Sequence, residues 1–310
     1  MSGKLPRPRN YITRGQGSRQ IVIIPGAFSP MAPEYRVYPG QVTDSPAATD
    51  FSADLALALR LADAADEQSL SRFDAADLRV SLKADRSHVT DADLATERAI
   101  RDLLTRERPD DGIFGEEFGA EGDAHRQWII DPIDGTANFL RGVPLWGTMI
   151  ALAVDGVPQV GAVSMPALGR RWWGATDLGA WTATAEGPRR LAVSSVDSLD
   201  DASVSFQSIT QWSDAGKMAE LIAVADRVWR DRAYGDVFSY MLLAEGRIDM
   251  VAEFDVKEYD IAAAVAIVRE AGGQMTAFDG TETLSALSTL ATNGILHEKF
   301  LTLFRDVRSS

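Results

Sequence analysis

The run Trp128-Ile129-Ile130 passes without a break into Asp131-Pro132-Ile133-Asp134-Gly135-Thr136, so a buried strand has to end where two carboxylates and a glycine begin. The surrounding pattern is mixed. Ile113-Phe114 reads as another buried strand, and Met149 to Val154 turns at Asp155-Gly156 into Val160 to Val163 as a hairpin. Arg171 to Trp173 and Ala180 to Thr182 form a further pair around Gly179. Ser52 is placed to cap a helix carrying Leu55, Leu59 and Ala62, and a second helix follows Thr90. Beyond Ser195 come a strand at Ser203 to Phe206, helices at Met218 to Trp229 and Val237 to Ala244, a strand at Ile248 to Ala252, and a helix at Ile261 to Ala271 stopped by Gly272-Gly273. The expectation is a mixed α/β chain with lobes at 51–195 and 196–310. Residues 1–50, basic at the start and broken by Pro and Gly, read as a disordered extension.

The chain has 310 residues, 45% of them hydrophobic, and a formal charge of −14. That charge argues against a phosphate-backbone contact surface and for a small substrate. With no Cys and three His, thiolate chemistry is excluded and a multi-histidine metal site disfavoured, so any metal is expected on oxygen. The early apolar run Ile21 to Ile24 is stopped by Pro25, too short for a signal-peptide core or a membrane span, and a cytoplasmic protein is expected.

Asp131 and Asp134 alone are compatible with an ordinary Asp-Gly turn. They have company: Val89-Thr90-Asp91-Ala92-Asp93, Gly115-Glu116-Glu117 and Glu258-Tyr259-Asp260 each lie at the end of an element, where side chains can converge. Carboxylates from separate segments, completed by water and phosphate oxygens, suit magnesium, and two such ions can clamp both oxygens of a phosphoryl transfer. Backbone amides at Gly135 and Thr136 can receive an anion if a helix starts there. An aspartyl nucleophile fits less well. The spacing Asp-Pro-Ile-Asp breaks the Asp-x-Asp pattern, and the residue two beyond Asp134 is Thr136, with no acid to protonate a leaving group.

Together, Lys83, Val89 to Asp93, Gly115-Glu116-Glu117, Trp128 to Asn138, Tyr259 to Ala263 and Glu270 to Gly273 resemble the inositol-monophosphatase superfamily of magnesium-dependent phosphatases, in the family's order. Tyr259 departs from the family's usual Trp. The resemblance implies a layered αβαβα sandwich, a homodimer and two to three Mg2+ ions. One ion falls to Glu116, Asp131 and the Ile133 carbonyl, a second to Asp131, Asp134 and Asp260, and a weaker third to Glu116 and Glu117. It also implies that Asp93 and Thr136 orient and deprotonate the attacking water.

In this superfamily the segments around Arg232 to Asp236 and Ala252 to Asp255 line the pocket for the alcohol part of the substrate. Arg232, Asp236 and Glu253 are therefore the expected substrate contacts. A carboxylate at Asp236 beside Glu253 favours a cationic leaving group, and Arg170-Arg171-Trp172-Trp173, together with Arg232 through Tyr240, is similar to the bacterial histidinol-phosphate phosphatases of the superfamily. The implied activity is hydrolysis of L-histidinol phosphate in histidine biosynthesis. The alternatives are an inositol-1-phosphate phosphatase and, in another class, a catalytically silent metal-binding homologue. Asp236 also reads as a plain helix cap, and the two tryptophans as packing.

Overall fold

The computed structural model describes residues 50–83, 87–122 and 125–309. Most of the expected 1–50 extension lies outside them. Helix α1 (Ser52–Arg72) has Phe51 at its N-cap position and Ser52 as its first helical residue, so Ser52 is not the cap; Asp50, one residue before the cap, accepts the Ser52 amide on Oδ1 at 2.9 Å. Its buried Leu55, Ala58, Leu59, Ala62 and Ala65 recur at helical spacing. Strands β1 (Val80–Leu82) and β2 (His88–Thr90) pair antiparallel and lead into α2 (Asp91–Glu107). Thr90 and Asp93 close a capping box at its start.

Eight strands follow: β3 (Gly112–Gly115), β4 (Gly119–Glu121), β5 (Arg126–Asp134), β6 (Gly147–Val154), β7 (Val157–Met165), β8 (Arg170–Ala175), β9 (Gly179–Thr184) and β10 (Gly187–Arg190), with the short helix α3 (Thr136–Leu140) after β5. They form one sheet in the order β10-β9-β8-β7-β6-β5-β3-β4, antiparallel except where β3 runs parallel to β5. The alternation of side chains sorts two cores. Trp128, Ile130, Ile150, Leu152, Val160 and Trp173 pack with α1 and α2 on one face. Ile129, Met149, Ala151, Val163 and Trp172 face the other way.

The second sheet holds β11 (Ser203–Ser205), β12 (Arg230–Arg232), β13 (Met250–Phe254), β14 (Gln274–Thr276) and β15 (Ser288–Thr292) in the order β12-β11-β13-β15-β14. Helices α4 (Ile209–Asp214), α5 (Met218–Ala225), α6 (Asp236–Ala244), α7 (Glu258–Glu270) and α8 (His297–Ser309) complete the chain. Residues of α6 and α7 share a core with both sheets, and α4, α5 and α8 cover the far face of the smaller one around Trp212, Phe300 and Phe304. The result is the expected αβαβα sandwich. Helix α7 lies so close to β7 that a Cβ on Gly161 would come within 2.3 Å of the Ala263 carbonyl. The helix expected at Met218 to Trp229 stops at Ala225, because Arg230 to Arg232 leave it to pair with β11.

Candidate active site

The acids gather where the C-terminal ends of β3 and β5 meet the first turns of α2, α3, α6 and α7. Across β5 and β6, Asp131 pairs with Met149 and Asp134 with Gly147, so β5 carries one extra residue between them. In a regular strand, residues three apart face opposite sides. The bulge at Pro132-Ile133 returns Asp134 to the side of Asp131, and a bulge tolerates a residue without an N–H. Ile133 anchors it, buried against Ala92, Phe139 and Trp146, while its amide donates to Asp131 Oδ1 at 3.0 Å. One carboxylate oxygen each from Asp131, Asp134 and Asp260 lies within 4.8 Å of the others.

Helix starts hold three of the acids. Asp260 Oδ2 accepts the Lys257 amide at 2.7 Å at the start of α7. Asp134 Oδ2 accepts the Val237 amide at 2.6 Å at the start of α6. Asp93, fully buried, gives Oδ2 to the amide and hydroxyl of Thr90 at 2.8 and 2.5 Å, and Oδ1 to the Thr136 hydroxyl at 3.3 Å. Capping and contact with Thr136 are thus divided between its two oxygens. Thr136 Oγ1 is also 3.0 Å from the Ile133 carbonyl, and its one hydrogen can serve only one of these acceptors at a time. The positive ends of the helices offset part of the repulsion among the carboxylates.

Glu97, one turn beyond Asp93 on α2, belongs to the site without having been singled out in the sequence. Its buried carboxylate accepts the amides of Glu117 at 2.7 Å and Phe118 at 3.2 Å, with Arg101 Nε at 2.8 Å. It fills the space beside Gly115, where a Cβ would lie 1.9 Å from Glu97 Oε1. The i, i+4 spacing from Asp93 is the signal that could have pointed to it.

Burial, reinforced by neighbouring carboxylates, raises the carboxyls of Asp131 and Asp134 well above the usual range. Burial likewise pushes Asp260 up to about 7 against the Lys257 hydrogen bond. Glu117 is pushed up to about 7 by burial, opposed by Lys83. Lys83 Nζ stands 2.8 Å from both Glu116 Oε1 and Glu117 Oε1; burial works against its charge, but the two glutamates outweigh that and hold it protonated. No Lys or Arg similarly pairs with Asp131, Asp134 or Asp260 among the described residues. These three carboxylates fit an oxygen-coordinated divalent cation, whose charge would let them ionise together.

A cleft of about 510 Å3 opens from Asp134 and Asp260 toward Asp236, Glu253 and Asp255. Glu253, 4% exposed, receives the Tyr240 hydroxyl, and burial, opposed by hydrogen bonds from Tyr240 and Gln207, pushes it up to about 8. Asp236 Oδ2 accepts Asn138 Nδ2 at 2.7 Å, tying α6 to the turn after Gly135. Gly135 needs its left-handed φ of 83°, and a Cβ there would sit 3.0 Å from the Leu145 carbonyl. Arg232 is the expected contact that does not arrive. It is exposed, donates to the Asp231 carbonyl at 2.5 Å and does not line the cleft. Trp172 and Trp173 are core, the first donating to Glu245 Oε1 at 2.6 Å, and Arg171 pairs with Asp63 and Asp66.

Residues 50–309 match the profile of the Inositol monophosphatase family. The chain belongs to that family. It is therefore a phosphomonoesterase by family, and its relatives agree. A histidinol-phosphatase of Mycobacterium tuberculosis is 53% identical over 80% of this chain and 96% of its own length. One from Streptomyces coelicolor is 47% identical over 81% and 97%. Among solved structures, an inositol monophosphatase from Zymomonas mobilis aligns at a TM-score of 0.72 with 33% identity, covering 83% of this family member and all of the other chain. The Bartonella henselae extragenic suppressor protein suhB aligns at 0.75 with 28% identity, covering 82% and 99%. Among the described residues no helix is long and apolar enough to cross a membrane.

Proposed function

We propose that this inositol-monophosphatase family member is a magnesium-dependent histidinol-phosphate phosphatase of histidine biosynthesis, cytoplasmic and homodimeric, with residues 51–195 supplying most metal ligands and 196–310 the substrate pocket. The observation that carries the substrate is the cleft itself: Asp236, Glu253 and Asp255 line it, and among the described residues no Lys or Arg does. L-Histidinol phosphate brings an amine and an imidazole to such a site, and opposite charges attract more strongly where water is partly excluded. The two curated histidinol-phosphatases above support the same reading.

Glu116, Asp131, the Ile133 carbonyl, Asp134 and Asp260 would hold two ions, and Glu117 with Glu116 a third, in competition with Lys83. Magnesium, when bound, supplies the positive charge that polarises the phosphoryl group and acidifies water. The protein does the rest. Gly135 and Thr136 seat the phosphate with their amides. Thr136 passes the proton of the attacking water toward Asp93, whose raised carboxyl makes it a better base than an exposed aspartate. Glu253 and Asp236 fix the alcohol end.

The test is phosphate release from L-histidinol phosphate, inositol 1-phosphate, fructose 1,6-bisphosphate and 3′-phosphoadenosine 5′-phosphate, with and without magnesium. Magnesium-dependent preference for L-histidinol phosphate is expected. Preference for inositol 1-phosphate would replace the substrate, and no release from any ester would leave a silent homologue.

A further inference from the structure

Of the three carboxylates that line the cleft beside Asp134 and Asp260, two are already engaged. Asn138 holds Asp236, and Tyr240 with Gln207 holds Glu253. Asp255 differs: it is exposed at the rim, and no described residue donates a hydrogen bond to its carboxylate. Its backbone is fixed all the same. Directly after β13, the Asp255 amide donates to the Leu287 carbonyl at 2.8 Å, with φ at 58°. Glycine adopts that conformation without strain, and Asp or Asn are the side chains that tolerate it best. Here an acid stands where the backbone alone would favour glycine.

We propose that Asp255 is a specificity-determining residue whose carboxylate reads a positive charge on the alcohol part of the phosphate ester. This rests on the proposed function for the position of the substrate and goes beyond it by naming which carboxylate is free to meet the cation. An ammonium at the rim gains the attraction without displacing an internal partner, whereas Asp236 and Glu253 would have to share theirs.

The experiment uses the full chain with magnesium and p-nitrophenyl phosphate, or any ester the wild type hydrolyses, as reporter. Inhibition constants are measured for 2-aminoethyl phosphate and 2-hydroxyethyl phosphate, which differ only in an ammonium for a hydroxyl. In Asp255→Asn, which keeps the shape and tolerates the backbone, the ratio of the two constants should move about two- to fivefold against the ammonium at low salt. The difference should shrink at high salt. Asp255→Gly, which removes the strain as well, should give the same ratio. An unchanged ratio in either variant, or a parallel change in both constants, overturns the proposal. If the ratio moves but the wild type releases no phosphate from L-histidinol phosphate, the substrate assignment fails and the role of Asp255 stands.

Discussion

Asp131 and Asp134 sit three residues apart on one strand and still turn their carboxylates to the same side, because β5 carries one more residue than β6 between them. Burial and mutual repulsion hold both carboxyls high, so the protein without metal carries the strain of this arrangement. Asp134→Asn should therefore leave the metal-free melting temperature unchanged or a few degrees higher, even with a weakened contact to the Val237 amide. The magnesium-induced rise, about 2.7 kcal/mol at a hundredfold excess over Kd for the wild type, should shrink sharply. Thermal melts with and without magnesium measure both; an undiminished rise in the variant refutes the assignment.

The same carboxylates set a pH dependence. Burial raises the carboxyls of Asp260 to about 7 and Glu253 to about 8 in the folded chain, from about 4 when unfolded. Between those values the native state binds more protons than the unfolded one, so stability without divalent metal should fall as pH rises from about 4 to about 8. Magnesium should flatten the upper part of that fall by stabilising the ionised form of Asp260. Melts across this range in chelator and in magnesium should diverge as pH rises, and parallel curves would contradict the clustering.

Asp93→Asn should fold and bind magnesium, since the amide oxygen can still accept from Thr90 or Thr136. Turnover should drop by about 10²–10⁴-fold, the range for loss of a proton acceptor. Single-turnover phosphate release beside a magnesium titration separates the two. Near-normal turnover would reduce Asp93 to its capping role.

Much of this site was legible because each acid lies beside punctuation: Gly115, the Asp-Gly of Asp134-Gly135, the cap at Thr90 and the helix after Lys257. The hairpins were legible from Asp155-Gly156 and from apolar alternation. The bulge was not, since it is a property of pairing between β5 and β6 and leaves no mark in either strand alone. Strand β12 was missed because Arg230-Asp231-Arg232 has no apolar alternation; it is an edge strand whose place comes from its parallel pairing with β11. The exposure of Arg232 follows from that placement. Glu97 was hidden for the opposite reason: an acid in mid-helix looks solvated until a glycine from another strand is packed against it.

That contact gives a further expectation. Glu97→Gln replaces one acceptor oxygen with an N–H donor facing the amides of Glu117 and Phe118 and the Arg101 side chain. The loss of a buried charged hydrogen-bond partner should cost about 1–3 kcal/mol. Because Glu116 rides on the same turn, magnesium affinity should weaken along with stability. Calorimetric titration and denaturant unfolding test this, and a stability loss with intact magnesium affinity would make Glu97 a purely structural residue.

Asp236 and Glu253 share the cleft but differ in what they hold, so their variants should differ in kinetics. Glu253 takes its hydrogen bonds from Tyr240 and Gln207 rather than from the turn after β5, and Glu253→Gln should chiefly raise KM for L-histidinol phosphate, by about tenfold or ~1.4 kcal/mol, with kcat little changed. Asp236 is tied through Asn138 to the turn that carries Gly135 and Thr136, so Asp236→Ala should loosen the phosphate seat and lower kcat as well. Since burial raises the Glu253 carboxyl to about 8, wild-type KM should fall as pH rises from 6 toward that value, and Glu253→Gln should flatten that slope. Steady-state kinetics of both variants from pH 6 to 9 decide the matter: identical KM and kcat changes in the two would mean that the cleft does not separate these roles.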